Sequence, residues 1–583
     1  MKILLTTLNA KYVHTSLGLW YIYQYCRSDY PELLFKEYNI NQELAWVLGE
    51  IYLTRAEVVA FSCNIWNIEE TLTLCQRLKE VTPETTIVLG GPEVWAEPVQ
   101  IMESYPAVDF IVIGEGELTF KEWLCQYRKA QPDWGTIAGL VYRNDSTVVV
   151  NMPRPQIENL GIIPFPYPAN LTEFRNKLVY YETSRGCPYQ CQYCLSANEQ
   201  GVRFFPQERV KQELLQFVAA GVAQVKLVDR SFNCNPRWAK ELWRFLITHA
   251  GSTNFHFEIV GDLLDEEALA LLRQAPAGLF QFEIGIQSTN RETLTAIQRK
   301  MDFERLRQNV TQLVQTTAVF VHVDLIAGLP WEDYQSFART FNETLAMRPH
   351  RLQLGFLKLL QGSGLRKQAA EYGYRFTREA PYEILSNLWL SYPELVQLKR
   401  IEDLLDRYYN SGRFGQSLEY CLSRAESAFA WFERFSDWWK KQGLDEFAHK
   451  TKDLYGYLLR FAETVGGWGA FELETLRNRL KFDLLNTERM VELPDWAGPN
   501  QPDLKNFGFR FWKDVDNRQR YFPESPDLEA RDIQRRTLFA SFTVEPLAEG
   551  NDGPESKLPV AERVYLFIYG QAGVKYYKIA PEG

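Results

Sequence analysis

Residues 178–194 read LVYYETSRGCPYQCQYC, an apolar β-rich run that passes directly into three cysteines at C-x3-C-x2-C spacing. From this point strand-like and helical patterns alternate to about residue 375. The strand-like runs are LVYYETSRG, QVKLVDRSFN (224–233), NFHFEIV (254–260), LFQFEIGIQS (279–288), FVHVDLIAGLP (320–330) and RLQLGFLKLL (351–360). Between them, apolar residues recur at helical spacing, as in Val210, Leu214, Phe217 and Val218, or Trp238, Leu242 and Phe245. Six βα units are two short of a closed (β/α)8 barrel, so a partial (β/α)6 barrel is expected over 171–375.

Upstream, KILLTTLN (2–9), LLFKEYNI (33–40), VVAFS (58–62), TTIVLGG (85–91) and DFIVIGEGE (109–117) each precede a helical pattern. Near-continuous apolar strands of this kind imply a parallel sheet covered on both faces, the doubly wound, Rossmann-like α/β layout. Residues 136–151 read as a hairpin around Asn144-Asp145, and a Pro-rich stretch ending PFPYP reads as a linker. The expected organisation is an α/β domain over 1–150, a linker over 151–170, the barrel over 171–375, and a mainly helical region over 376–583. In that last region Trp431, Phe432, Phe435, Trp438, Trp439, Tyr455, Tyr457, Phe461 and Trp468 stand at helical spacing, and VYLFIYGQAGVKYYKI (564–579) reads as a terminal β hairpin. Such aromatics read more simply as a core than as a stacking platform.

Composition narrows the classes. The 583 residues are 46% hydrophobic and 24% charged, as in packed globular proteins. A net charge of −10 supplies no overall cationic field, which argues against nucleic acid as a partner. No apolar run approaches the ~18–20 residues that span a bilayer, and the start lacks the apolar stretch of a signal peptide, so a cytoplasmic location and no membrane association are expected.

Of nine cysteines, Cys26, Cys63, Cys75, Cys125, Cys234 and Cys421 are scattered, and no disulfide framework is legible. Cys187, Cys191 and Cys194 share one short loop. Three thiolates so placed can hold three irons of a [4Fe–4S] cube and leave the fourth iron open to a small molecule. Zinc is the rival metal, but structural zinc takes four ligands from paired sites, and no second pair is present in the sequence.

CPYQCQYC at the end of the first barrel strand resembles the C-x3-C-x-aromatic-C signature of the radical S-adenosylmethionine (SAM) superfamily. The resemblance implies that Cys187, Cys191 and Cys194 ligate a [4Fe–4S] cluster, that its open iron chelates SAM, and that Tyr193 lies near the adenine. Active groups of parallel barrels sit at C-terminal strand ends, which selects Asp229, Glu283, Gln287, Ser288, Asp324 and Gly328. In the family such positions bind the amino group, ribose and adenine of SAM. Ser288 and Asp324 read equally as a helix N-cap and a barrel-core hydrogen-bonding residue, and His322 as a structural histidine.

The N-terminal strand-end loops are NAKYVHTSLG (9–18), SCNIWN (62–67), GGPEV (90–94) and GEGE (114–117). No G-x-G-x-x-G follows the first strand and no P-loop is present. Standing before a radical SAM barrel, these loops are similar to the cobalamin-binding domain of cobalamin-dependent radical SAM enzymes. That likeness implies cobalamin contacts from His14, Ser62, Asn64, Trp66, Gly90, Gly91, Gly114, Glu115 and Gly116. The Asp-x-His-x-x-Gly motif of other B12 proteins is absent, because Tyr12 stands at the Asp position and Gly18 is four residues after His14. Base-off cobalamin is therefore expected. In the family scheme, one SAM methylates the cobalt and a second yields the 5′-deoxyadenosyl radical, so that methyl reaches an unactivated carbon of a small molecule or peptide. A flavodoxin- or ferredoxin-type protein supplies the electron. The alternatives are a cyclisation or rearrangement on the same cofactors without methyl transfer, and a non-catalytic cofactor-binding sensor. The 376–583 region resembles an uncharacterised C-terminal domain of such proteins.

Overall fold

The computed structural model describes residues 2–579 apart from 146, 200, 491, 499–503, 524–527, 548–562 and 571–572. It divides into two compact units, Met1–Leu395 and Val396–Gly583. Residues 376–395, grouped with the C-terminal region in the sequence reading, cluster with the first unit.

The first unit opens with β1 (Ile3–Asn9), α1 (Leu17–Cys26), β2 (Leu33–Asn39), α2 (Leu44–Thr54), β3 (Val58–Ser62), α3 (Ile68–Val81), β4 (Thr86–Gly90), α4 (Pro98–Ser104), β5 (Phe110–Val112), α5 (Gly116–Tyr127), β6 (Leu140–Asn144) and β7 (Thr147–Val150). The sheet order is β2-β1-β3-β4-β5-β6-β7, parallel through β5. The strands are apolar on both faces because both are covered. Leu4, Leu8, Val59, Phe61, Ile87 and Leu89 pack with Val47, Leu72, Cys75 and Met102 on one side. Ile3, Leu5, Val58, Ala60 and Val88 pack with Leu19, Phe120 and Trp123 on the other. The sequence-predicted hairpin is present and extends this sheet, because β6 pairs antiparallel with β5. Its turn carries Asp145 at φ +53°.

The barrel follows with β8 (Leu178–Tyr181), β9 (Ser184–Gly186), β10 (Val202–Phe204), α6 (Gln207–Ala220), β11 (Gln224–Leu227), α7 (Pro236–His249), β12 (Asn254–Ile259), α8 (Glu266–Leu272), β13 (Phe280–Gln287), α9 (Arg291–Ala296), α10 (Phe303–Thr316), β14 (Phe320–Ala327), α11 (Tyr334–Leu345) and β15 (Arg351–Phe356). Its six strands run in the order β15-β14-β13-β12-β11-β8 and every adjacent pair is parallel. The run LVYYETSRG is broken rather than continuous: β8 ends at Tyr181, and β9 turns away to pair antiparallel with β10. Thr183 and Ser184 are drawn off the strand line by the Asp229 carboxylate, which accepts from the Thr183 amide at 3.0 Å, the Thr183 hydroxyl at 2.7 Å and the Ser184 hydroxyl at 2.5 Å.

The second unit contains helices Gly415–Ser423, Ala428–Lys441, Thr451–Val465 and Ala470–Leu485. Trp431, Phe432, Phe435, Trp438, Trp439, Tyr455 and Phe461 are buried there, the core that their spacing predicts. The terminal hairpin forms, and the strand Thr537–Phe542 completes it as a three-stranded antiparallel sheet.

Candidate active site

The three cysteines lie on the loop between β9 and β10, so the β9–β10 pair clamps the base of that loop. Gly186 ends β9 at φ +96°, and a Cβ there would stand 2.1 Å from the Gly201 carbonyl oxygen, so only glycine fits. The Cys194 amide donates to the Cys191 carbonyl at 3.0 Å, the Gln192 amide to Ile297 at 2.9 Å, and the Leu365 amide to Gln192 at 2.8 Å. The loop is thereby held from both sides. Cys187 Sγ stands 3.7 Å from Ser231 Oγ. Burial, and the neighbouring Cys194 and Cys191, push the Cys187 thiol up from its ordinary range, the expected behaviour of grouped sulfurs without a cation. Among the described residues no three His, Cys, Asp or Glu side chains converge on a single metal-ion position, whereas a cluster asks only one thiolate for each iron.

Arg299, which no sequence pattern marks, lies half-buried beside this loop. Its guanidinium donates to Tyr193 Oη at 3.0 Å, to Cys191 Sγ at 3.8 Å and to the Gly285 carbonyl. It thus fixes Tyr193 and presents positive charge to a cysteine sulfur.

The strand-end residues divide. Gln287 sits at φ +71° on a bulge of β13, and its Oε1 is buried without a hydrogen-bond partner. Asp324 faces the barrel interior with Oδ1 3.0 Å from His322 Nε2 but outside hydrogen-bonding geometry, so this buried carboxylate oxygen is without a hydrogen-bond partner. Glu283 lies at the next level down and meets Lys226 Nζ at 2.8 Å and His256 Nε2 at 2.9 Å. Gly328, at φ +95°, is required by packing, since a Cβ would strike Ile384. Two of the expected contact residues are engaged within the protein. Asp229 is 2% exposed and its oxygens accept from Thr183 and Ser184, which makes it a strut of the strand break. Ser288 is fully buried and donates to Glu332 Oε1 at 2.6 Å; the N-cap of α9 is Asn290, two residues later.

In the N-terminal sheet the strand order reverses between β1 and β3, where doubly wound sheets open their ligand crevice. Both loops that flank it were singled out from sequence. Buried Asn67 ties them, donating from Nδ2 to Thr7 Oγ1, to the Leu8 carbonyl and to the Ser62 carbonyl at 3.0–3.1 Å. Its Oδ1 accepts from the Asn64 amide at 2.7 Å. Trp66 donates to the Leu8 carbonyl at 3.1 Å and remains 43% exposed. Gly91, after Gly90, lies against the backbone of Cys63, and Gly114 at φ +80° faces open space. Of the glycines in the GGPEV and GEGE loops, Gly114 alone leaves open space where a side chain would stand. Gly116 packs on Ile22. Glu115 differs from the expectation in that its carboxylate is already engaged, by Arg203 at 2.8 Å, Arg185 at 3.3 Å and the Ile157 amide at 2.6 Å.

His14 joins the two halves of the unit. The Leu178 amide donates to the Val13 carbonyl at 2.8 Å, and His14 Nδ1 lies 2.9 Å from Tyr180 Oη. Burial, with the charges of Lys11 and Lys226, holds His14 below the usual histidine range. The crevice loop is therefore laid on the first barrel strand.

Family comparisons match residues 3–124 to the B12 binding domain, 181–343 to the radical SAM superfamily and 370–560 to DUF4080, a domain of unknown function. The chain is 30% identical over 336 residues to the 2-(S-pantetheinyl)-carbapenam-3-carboxylate methyltransferase of Streptantibioticus cattleyicolor, covering 53% of this chain and 47% of that one. It is 27% identical over 350 residues to the cobalamin-dependent radical SAM methyltransferase TokK of Streptomyces tokunonensis, covering 57% and 51%. The chain spans about half the length of these curated relatives. The fold is that of TsrM from Kitasatospora setae, a radical SAM methyltransferase solved with cobalamin and a [4Fe–4S] cluster, at a TM-score of 0.55 and 18% identity over 65% of this chain and 80% of that one. This domain composition implies SAM, a [4Fe–4S] cluster and cobalamin as cofactors.

Proposed function

We propose that this chain, in which a B12-binding domain runs into a radical SAM domain, is a cobalamin-dependent radical SAM methyltransferase acting on an unactivated carbon of a small molecule or peptide. The observation that carries the reading is the shared unit: the three-cysteine loop and the switch-point crevice belong to one compact body, and the crevice loop at His14 rests on the first barrel strand.

In this reading Cys187, Cys191 and Cys194 hold the cluster. Tyr193, Gln287 and Asp324 contact SAM, with Gly328 shaping the loop beside them. Ser62, Asn64, Trp66, Gly90, Gly91, Gly114 and Gly116 would line the corrin, and His14 would meet it from the barrel side. When bound, the cluster supplies the electron that cleaves SAM to a hydrogen-abstracting radical, and cobalamin supplies the methyl group. The protein's own part is positional. Arg299 orients Tyr193, the β9–β10 clamp fixes the cysteine loop, and Asn67 keeps the crevice strands in register. Glu115 acts through its ion pairs with Arg185 and Arg203. A flavodoxin- or ferredoxin-type donor would feed the cluster. Nine cysteines without disulfides among the described residues support a reducing, cytoplasmic setting, and no described helix is long and apolar enough to cross a membrane.

The test is anaerobic reconstitution with iron, sulfide and cobalamin. The wild type is expected to show cluster and corrin absorbance and to cleave SAM to 5′-deoxyadenosine. A Cys187/Cys191/Cys194→Ala variant is expected to keep the corrin bands and lose the rest. Cluster formation that survives in the variant would overturn the assignment. 5′-Deoxyadenosine without S-adenosylhomocysteine, in the presence of substrate, would favour a rearrangement over methyl transfer.

A further inference from the structure

Barrel interiors are ordinarily filled by layers of branched apolar side chains. Here the inward positions of neighbouring strands carry charge. Below the level of Gln287 and Asp324 stand Lys226 on β11, His256 and Glu258 on β12, and Glu283 on β13. Lys226 Nζ lies 2.8 Å from Glu283 Oε2 and 3.5 Å from Glu258 Oε1. A layer of amides lies beneath, where Gln224 Nε2 donates to Asn254 Oδ1 at 2.8 Å and to Gln281 Oε1 at 3.4 Å. His256 is 7% exposed, and its Nε2, although 2.9 Å from Glu283, has no partner in hydrogen-bonding geometry.

A purely structural ion network would be closed and dry, because buried charges cost several kcal/mol unless every valence is met. This one stays partly open, with the Lys226, Glu258 and Glu283 side chains 20%, 27% and 21% exposed. One ammonium faces two carboxylates. Burial holds His256 below its usual range. Asp324 adds a third carboxylate and Arg230 a second cation to the field at Glu258, so acids outnumber the Lys and Arg cations, and Glu258, 3.5 Å from Lys226 against 2.8 Å for Glu283, is the less satisfied of the two glutamates. Burial lifts its carboxyl above the ordinary range for that reason.

We infer that this polar floor is the substrate subsite, and that it takes a hydrophilic small molecule presenting a protonated primary amine to Glu258 and Glu283. This rests on the function proposed above. An aromatic or extended aliphatic substrate would leave the carboxylates desolvated and unpaired, at a cost that its own burial does not offset. A carboxylate substrate would have to compete with two acids for Lys226.

The experiment uses the reconstituted holoprotein and ligand-observed NMR titrations with ethanolamine and glucosamine, each against its N-acetylated counterpart. The amines are expected to bind saturably and about tenfold or more tightly than the acetylated forms, roughly 1.4 kcal/mol of preference. Glu258→Gln is expected to erase the preference, and Lys226→Met to sharpen it by freeing Glu283; corrin absorbance checks that each variant is folded. Equal binding of amine and amide, no binding of either amine, or a preference that survives Glu258→Gln overturns the inference. SAM cleavage by the same sample reports on the parent reading separately, so probes that fail while cleavage proceeds sink the subsite alone.

Discussion

At Gly91 the backbone runs at φ +107°, and a Cβ would stand 2.4 Å from the Cys63 carbonyl oxygen. Both the dihedral and the contact exclude a side chain. Gly91→Ala is expected to destabilise the protein by roughly 1–3 kcal/mol and to weaken cobalamin retention, measured as a lower Tm and less corrin absorbance after desalting. The glycine pairs of the crevice were legible in sequence because glycine is used where backbone must approach backbone. Asp229 and Ser288 were not legible in the same way. A carboxylate or hydroxyl at a strand end is the same letter whether it greets a ligand or, as here, braces Thr183 or Glu332. Arg299 carried no signal, since it lies beyond α9 and reaches the cysteine loop only in three dimensions.

Among the elements, the loop after β14 is fastened to its neighbours by Glu332, which accepts from Ser288 at the end of β13 and from Thr340 on α11 at 2.6 and 2.7 Å. Burial, only partly offset by these bonds, pushes its carboxyl up to about 7 from an ordinary 4.5. Between those values the folded chain keeps a proton that the unfolded chain has released, so this group makes stability fall as pH rises from about 4.5 to about 7. Glu332→Gln should flatten that slope by up to about 3 kcal/mol, read as the difference between the two Tm profiles across the window. Tyr180, Lys226, Glu258, Glu283 and Asp324 alternate with apolar residues along their strands, and the register places them on one inward face. The break between β8 and β9 had no local cause in sequence, because the group that bends the chain sits on β11's end.

In the first unit as a whole, the sheet domain and the barrel are held together by charge. Arg185, two residues before Cys187, reaches Glu117 at 2.6 Å, Glu182 at 2.7 Å and Glu115 at 3.3 Å, and Arg203 reaches Glu115 at 2.8 Å. Arg185→Met would leave the buried Glu117 and the half-buried Glu182 without their cation, at a cost of about 3–5 kcal/mol in urea unfolding. It should also lower the iron content after reconstitution. Adding Glu117→Gln should recover part of both losses, which separates charge imbalance from lost packing. Glu115 and Glu117 lie some 70 residues from Arg185 in sequence, so GEGE read as a cofactor loop, whereas its first glutamate is also a fastening between domains.

The sequence by itself determined the layers: which runs are strands, that the first sheet is covered on both faces, that six βα units make an open barrel, and that three cysteines share a loop at its mouth. Those are matters of periodicity and spacing, which a chain displays locally. Only the tertiary structure decided which polar groups are spent on one another and which remain open, because a hydrogen bond or an ion pair depends on where a distant strand places its partner.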